Sequence, residues 1–356
     1  MNNVCIIILN WNNWRDTLVC LESVFRLNYP AFRVLVCDNN STDNSLSYIE
    51  QWATGALAAS LSPACTLKKY ISPPAEKPIK CKSYNRQQAE HGGDPEDKES
   101  RLVMVQTGAN LGYAGGNNAG LRYAKSRGDF EYIWILNNDT LVHPEALTHM
   151  VRRMKRDRDA GMCGSTLLYY DRPDIVQTYG GGTYNKWFGY SRFIGDFNSA
   201  DTPIDAEQVE SEMDYIVGAS VLISRRALED VGMMPEEYFL YSEDIDWSVR
   251  AKKHYRLVYA PESIVYHKEG ESSGAGNDPA QKSLLSDYYF MRSRLLFTKK
   301  VYPYALPTVY LGFIATLINR IKRKQYDRIG LIFRLLFNRD LTKLPQEISK
   351  SLQEKC

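Results

Sequence analysis

A run of six apolar residues, Val4-Cys5-Ile6-Ile7-Ile8-Leu9, constrains this chain more than any other stretch. Its β-branched side chains favour an extended backbone, and the lack of polar alternation predicts a strand covered on both faces, as in a parallel sheet flanked by helices. Polar Asn10, Asn12 and Asn13 follow. Over residues 14–27, Leu18, Leu21, Val24 and Phe25 are spaced as the buried stripe of a helix, which Asn28-Tyr29-Pro30 stops. Arg33-Val34-Leu35-Val36-Cys37 then predicts a second strand that ends at Asp38. Strand, helix and strand in this order form a right-handed βαβ unit. The expected class is α/β, with a mostly parallel sheet.

A helix is expected over 45–52. Over 56–100, prolines, lysines and polar residues crowd together without apolar periodicity, which predicts a solvated, flexible insertion with no assigned chemistry. The core pattern resumes at Arg101-Leu102-Val103-Met104-Val105 and passes through a glycine-rich turn into a helix over about 115–126. A strand over 131–136 follows, ending at Asn137-Asn138-Asp139, and the next helix is expected near Pro144. Beyond Gly161 the alternation weakens. Residues 179–197, rich in glycine and aromatics, predict loops that wrap a polar, ring-shaped ligand. A strand broken by small residues (215–223), helices over 225–231 and 243–253, and two strands (257–259 and 263–266) lead to His267.

The 356 residues suit one large domain with an appendage. The expected division is a domain over 1–300, holding the 56–100 insertion, and a basic, amphipathic helical segment over 301–356. A net charge of +2 is too small for a nucleic-acid binder. The seven cysteines form no CxxC pair and have no histidine spacing for zinc, so a reducing cytoplasm is expected. A strand pattern starting at Val4 leaves no room for a signal peptide. Apolar residues 302–317 are interrupted by Pro303 and Pro307, and fall short of the roughly 20 needed to cross a bilayer. Arg320, Lys322, Arg323 and Lys324 follow, and a second apolar stretch, 329–337, is flanked by Arg328, Arg334 and Arg339. This pair predicts helices lying on an anionic membrane surface, at the inner face of the cell membrane. The alternative is an appendage packed on the main domain or on another subunit.

Two separated acidic sites carry the chemistry. Asn137-Asn138-Asp139 ends a strand, where ligands of open parallel sheets bind, and a hard divalent cation there takes one carboxylate with phosphate oxygens completing its shell. Glu243-Asp244-Ile245-Asp246-Trp247 opens a helix and offers a base for a nucleophile's proton. Asp38-Asn39-Asn40-Ser41-Thr42-Asp43 also begins at a strand end, where a carboxylate suits the imide of uracil or thymine; the same residues also serve as an ordinary turn and helix cap. Asn110-Leu111-Gly112-Tyr113-Ala114-Gly115-Gly116-Asn117-Asn118-Ala119-Gly120 permits close backbone approach and presents helix amides to an anion. Its GxxGG spacing is not the GxGxxG of dinucleotide-binding enzymes, which disfavours hydride transfer.

In this order, these motifs resemble the family 2 glycosyltransferases with the GT-A fold, above all the bacterial rhamnosyltransferase-type members that carry a similar NLGxAGGNN segment. The resemblance covers about residues 3–300 apart from the insertion. It implies an inverting transfer of a sugar, rhamnose by analogy, from a dTDP- or UDP-sugar to a hydroxyl of a glycan or lipid-linked acceptor in cell-surface polysaccharide synthesis. It implies Asp38 on the nucleotide base, Asp139 at the final Asp of a metal-binding DxD holding Mg2+ or Mn2+, His267 near the metal or diphosphate, and Asp244 as catalytic base. Asn137 stands where the first Asp of DxD would be, so metal affinity without nucleotide is expected to be low. Asn10, Asn40, Asn110, Gly115, Asn117 and Asn138 complete the expected nucleotide-sugar contacts. Glu243, Asp246 and Trp247 are supporting or acceptor-side residues, with a bond from Asp246 to Arg250 the competing role. A nucleotidyltransferase and a non-catalytic sugar-nucleotide-binding subunit are the alternatives; Asn10-Trp11-Asn12-Asn13 in place of a basic glycine loop disfavours the first, and the intact Asp139 and Asp244 disfavour the second.

Overall fold

The computed structural model describes residues 3–62, 65–268 and 283–337. Its strands are β1 (Val4–Asn10), β2 (Phe32–Asp38), β3 (Cys81–Asn85), β4 (Leu102–Gln106), β5 (Tyr132–Asn137), β6 (Thr140–Val142), β7 (Ala160–Tyr169), β8 (Arg172–Tyr179), β9 (Gly181–Asn185), β10 (Tyr190–Phe193), β11 (Tyr215–Ile216), β12 (Ser220–Ser224) and β13 (Arg256–His267). Its helices are α1 (Trp14–Val24), α2 (Ser45–Thr54), α3 (Arg86–Glu90), α4 (Gly112–Arg127), α5 (Ala146–Arg156), α6 (Ala206–Glu212), α7 (Arg225–Val231), α8 (Glu243–Ala251), α9 (Leu284–Val301), α10 (Leu306–Lys322) and α11 (Tyr326–Phe337). The main sheet runs β3-β4-β2-β1-β5-β12-β7-β13-β6, with β8 paired on β7.

The opening apolar run is β1, held in parallel between β2 and β5. Val4, Ile6 and Ile8 face a core shared with α1, α2 and α5, while Cys5 and Ile7 face a second core shared with α4 and α8. A strand buried on both faces has no position left for a polar side chain, which is why the run is unbroken. Register brings the carboxyl ends into one row: Asn10 pairs with Asp38, Leu9 with Asn137, and Asp38 with Gln106.

Glycines let α4 lie close on this row. A Cβ at Gly120 would stand 2.8 Å from Ile7 Cγ2, and one at Gly116 would overlap Leu9 Cδ1. The helix starts at Gly112, three residues before the expected 115.

Three expectations are corrected. Residues 56–100 are not simply a loop: they supply the edge strand β3, parallel to β4, and helix α3, closed by a capping box between Asn85 and Gln88. Residues 179–197 form the β9–β10 hairpin, which pairs with β11 in a small separate sheet. The two expected strands before His267 are one, β13, with a register shift between Ala260 and Ile264. The small-residue break after Ile216 is real and separates β11 from β12.

Helices α9, α10 and α11 pack around a common apolar cluster that also takes in Phe239, Leu240 and Tyr241. Buried Asp287 on α9 accepts hydrogen bonds from Arg320 of α10 (2.7 and 2.8 Å) and Arg328 of α11 (2.8 Å). Among the described residues, no helix is long and apolar enough to cross a membrane. Residues 338–356 of the predicted basic segment, including Arg339, lie outside the described residues.

Candidate active site

A cavity of about 920 Å³ opens at the carboxyl ends of the strands. Its floor carries both acidic sites, although they lie about a hundred residues apart in sequence: Asp139 with Asn137 and Asn138 on one side, Glu243 and Asp244 on the other. Tyr113 marks their convergence, since its pKa is raised first by burial and then by the charges of Glu243, Asp244 and Asp139.

Antiparallel pairing of β13 with β6 sets His267 opposite Thr140, and Lys268 N donates to the Asp139 carbonyl at 3.1 Å. His267 Nε2 consequently lies 3.3 Å from Asp139 Oδ1. On the far side of the ring, Nδ1 is 2.9 Å from Gln177 Oε1. An amide oxygen only accepts, so Nδ1 carries a proton, and in the neutral ring Nε2 turns a lone pair toward the carboxylate. Asp139 is 5 % exposed, and its Oδ1 has no hydrogen-bond partner. Two facing acceptors, one of them orphaned, fit a cation between them; adjacent ligands of an octahedral ion at about 2.1 Å lie about 3 Å apart. Among the described residues no third His, Cys, Asp or Glu joins the pair, so phosphate oxygens or water would complete a shell.

Glu243 and Asp244 occupy the first turn of α8. Asp244 Oδ2 accepts from the Gly218 amide at 3.1 Å, and its Oδ1 from the Ile245 amide at 2.9 Å. Burial raises the Asp244 pKa, and those amide bonds oppose the rise. Glu243 is less well compensated: its Oε2 is buried without a partner, and burial, with the Asp244 charge adding to it, outweighs the backbone hydrogen bonds at Tyr241 and Glu243 and pushes the carboxyl up to about 8. A proton held by the pair therefore rests preferentially on Glu243, the carboxyl that burial raises and that the backbone satisfies less well. The turn that delivers them is unusual, with Phe239, Tyr241 and Ser242 at φ of 66°, 68° and 70°, a region that costs a non-glycine residue about 1–3 kcal/mol. Helix α9 holds it: Arg292 donates to the Glu237 and Tyr238 carbonyls (2.9 Å each), Ser293 Oγ to the Leu240 carbonyl (2.7 Å), and the Tyr241 and Ser286 hydroxyls meet at 2.7 Å.

Of the residues given a site role from the sequence, Asn110, Asn137, Asn138, Asp139, Glu243, Asp244 and His267 line the cavity. The others do not. Asp38 is 1 % exposed, its carboxylate bonded by Asn10 (2.7 Å), by the Ser41 hydroxyl and amide (2.6 and 3.0 Å) and by Gln106 (3.3 Å), so Asn10 and Asp38 brace the wall from behind. Asn40 is exposed in the loop beyond. Gly115 and Asn117 lie within α4, where the Asn117 amide donates to the Tyr113 carbonyl. At the helix start, the Gly112 amide bonds Asn110 Oδ1 (3.0 Å) and the Tyr113 amide bonds the Phe239 carbonyl (2.7 Å), so these two amides are occupied within the chain. Asp246 turns away to Arg250 (2.9 Å), Lys300 (3.0 Å) and the Tyr238 hydroxyl (2.8 Å), and Trp247 is a core residue bonded to the Gly232 carbonyl. Sequence reasoning missed Asn39, Tyr113, Tyr184, Tyr215, Arg294 and Gln177; the first five line the cavity and the last holds His267. Of these, Asn39 and Tyr113 fall inside the motifs already marked and Tyr184 inside the aromatic 179–197 segment, while the rest carry no local signal.

The model of the family described as "Glycosyltransferase like family 2" matches residues 96–278, and that of "Glycosyl transferase family 2" matches residues 5–62. The chain is 26 % identical over 214 residues to N-acetylglucosaminyl-diphospho-decaprenol L-rhamnosyltransferase of Mycobacterium tuberculosis, covering 54 % of this chain and 67 % of that protein. It is 26 % identical over 170 residues to rhamnosyltransferase WbbL of Escherichia coli (45 % and 62 %), and 23 % identical over 152 residues to the low-salt glycan biosynthesis hexosyltransferase Agl10 of Haloferax volcanii (43 % and 47 %). The chain thus spans about half to two thirds of the length of these curated relatives. Among solved structures, the fold is similar to that of the mannosyltransferase PcManGT of Pyrobaculum calidifontis, in complex with GDP-Man and Mn2+, with a TM-score of 0.52 at 15 % identity over 95 % of this chain and 88 % of that one. The chain has the GT-A fold, extended by a helical C-terminal region.

Proposed function

We propose, since the chain belongs to glycosyltransferase family 2, that it moves a sugar from a nucleoside diphosphate donor to a hydroxyl of a glycan or lipid-linked acceptor, with inversion, in cell-surface polysaccharide synthesis. The observation that carries this is the meeting in one cavity of a cation-type pair, Asp139 and His267, with a carboxylate, Asp244, that two backbone amides hold in place. The names of the relatives favour rhamnose, carried on dTDP or UDP.

Asp139 and His267 would hold Mg2+ or Mn2+, which supplies positive charge to the departing diphosphate. Asp244 accepts the proton of the acceptor hydroxyl as its oxygen attacks the anomeric carbon; the bond to the diphosphate oxygen breaks on the opposite face, and the electron pair leaves with the nucleotide. The Gly218 and Ile245 amides orient the Asp244 carboxylate. A protonated Glu243 beside it spares the site a second negative charge. Tyr184, Tyr190 and Tyr215 offer ring faces to sugars. The protein is proposed to work at the inner face of the cell membrane, since Leu311, Ile314, Ile318 and Ile321 form one exposed stripe of α10 beside the exposed Lys322, Arg323 and Lys324.

Release of nucleoside diphosphate from a panel of dTDP- and UDP-sugars, with candidate acceptors, tests the proposal. Asp244→Asn is expected to lower turnover by about three orders of magnitude while donor affinity stays within about threefold. No release from any donor, or near wild-type turnover by the variant, would overturn it.

A further inference from the structure

Among the described residues, Arg294 is a cation without a counter-ion. It projects from α9 onto the cavity wall, where it is the one lysine or arginine among the described residues. Its Nε is buried and unpartnered, one Nη donates to the Phe188 carbonyl, and the guanidinium lies 4.8 Å from the Phe313 ring centroid. No carboxylate of the described residues pairs with it. Its neighbours on the same helix are matched: Arg292 by two carbonyls, Lys300 by Glu237 and Asp246.

Burial lowers the Arg294 pKa from its ordinary value, but a guanidinium stays charged in proteins. Holding that charge out of water without an anion is unfavourable, yet the surroundings are cut back to admit it. A Cβ at Gly189, itself at φ +66°, would stand 3.0 Å from Arg294 Cγ, and one at Gly312 would stand 2.6 Å from Nη2. Two small residues from separate elements thus frame a group that no carboxylate among the described residues neutralises.

Its position separates it from the acidic floor. Tyr113 feels Asp139, Glu243 and Asp244, whereas Arg294 packs against Gly189 of the β9–β10 turn and Gly312 and Phe313 of α10. Beyond the guanidinium the surface is apolar and open: Trp187 and Phe188 are 49 % and 47 % exposed, Trp187 meets Tyr304 edge to face, and the Leu311 and Ile314 stripe of α10 continues outward.

We propose that Arg294 binds the phosphate of the acceptor, and that the acceptor is a saccharide on a prenyl phosphate or diphosphate whose hydrocarbon leaves the cavity over Trp187, Phe188 and α10. Arginine suits this task because its planar fork makes paired, charge-assisted bonds to phosphate oxygens. This inference rests on the glycosyltransferase function above and assigns its acceptor side.

Farnesyl diphosphate is the probe, titrated calorimetrically into the full chain in EDTA so that it is not drawn to Asp139 and His267 through a cation. Binding is expected in the wild type, at least tenfold weaker in Arg294→Gln and partly recovered in Arg294→Lys, with UDP affinity in Mn2+ unchanged within twofold in both variants. Farnesol and inorganic pyrophosphate are each expected to bind at least tenfold more weakly than the probe. The proposal is overturned if the wild type does not bind the probe, if Arg294→Gln binds it equally well, or if UDP weakens in parallel, which would assign Arg294 to the donor. Pyrophosphate binding as tight as the probe would overturn the lipid assignment. Failure of the glycosyltransferase function itself would appear separately, as no turnover of any nucleotide sugar.

Discussion

At the scale of single residues, two acceptor-rich pairs dominate the cavity and respond differently to solution conditions. The lone pair of His267 and the orphaned Oδ1 of Asp139 face each other, so EDTA is expected to lower turnover at least tenfold, with Mn2+ or Mg2+ restoring it; full activity in excess chelator would remove the cation from the mechanism. Glu243 responds to pH instead. A carboxyl raised from an ordinary 4.5 to about 8 keeps its proton longer in the folded chain than in the unfolded one, so the folded state binds more protons in that window and loses stability as pH rises through it. Glu243→Gln removes this loss. Its melting temperature is expected to exceed that of the wild type by roughly 3 °C or more above pH 8 and to converge with it near pH 4.5. A difference that does not depend on pH would show that Glu243 is not the protonated partner.

At the scale of elements, legibility in the sequence followed the range of the interactions that fix each one. The unit β1–α1–β2 was readable because burial on both faces writes itself into consecutive residues, and α7 and the start of α8 were found for similarly local reasons. β3 was not: Cys81-Lys82-Ser83-Tyr84-Asn85 is an edge strand with half-exposed side chains, held in place by pairing with β4 rather than by any apolar pattern of its own. The glycines of α4 have a second use that no local pattern announces, since Gly116 and Gly120 let the helix pack closely on Leu9 and Ile7. Asp139 and Asp244 were legible from the ordered motifs, whereas Gln177 and Arg294 act across distances that only folding spans. α9 shows what such an element does, since Arg292 and Ser293 fix the left-handed turn ahead of Asp244. Arg292→Lys, which keeps the charge but loses the fork, is expected to lower kcat about tenfold or more with donor KM little changed and melting temperature lowered by a few degrees. A rise in donor KM with unchanged kcat would instead tie α9 to donor binding.

At the scale of the whole molecule, the main sheet supplies the strand-end floor, and the C-terminal helices supply part of the wall and an outward apolar face. The stripe Leu311, Ile314, Ile318 and Ile321 makes no contribution to the core, so Leu311→Glu combined with Ile318→Glu is expected to leave the melting temperature within about 2 °C while cutting co-sedimentation with anionic vesicles severalfold. Unchanged sedimentation would remove the membrane from the proposed setting.

Asp287 is where three helices share one carboxylate. Breaking a buried pair by removing one partner costs about 3–5 kcal/mol, and here a single loss would weaken the hold on two guanidiniums at once, although Arg320 keeps its bond to Gln325 Oε1 (2.6 Å). Because α10 and α11 share both this carboxylate and one apolar cluster with α9, they would loosen from α9 together rather than fray turn by turn. Limited proteolysis of an Asp287→Asn chain would then cut before α10 as a single event, and the segment that faces outward would be gained or lost as one part.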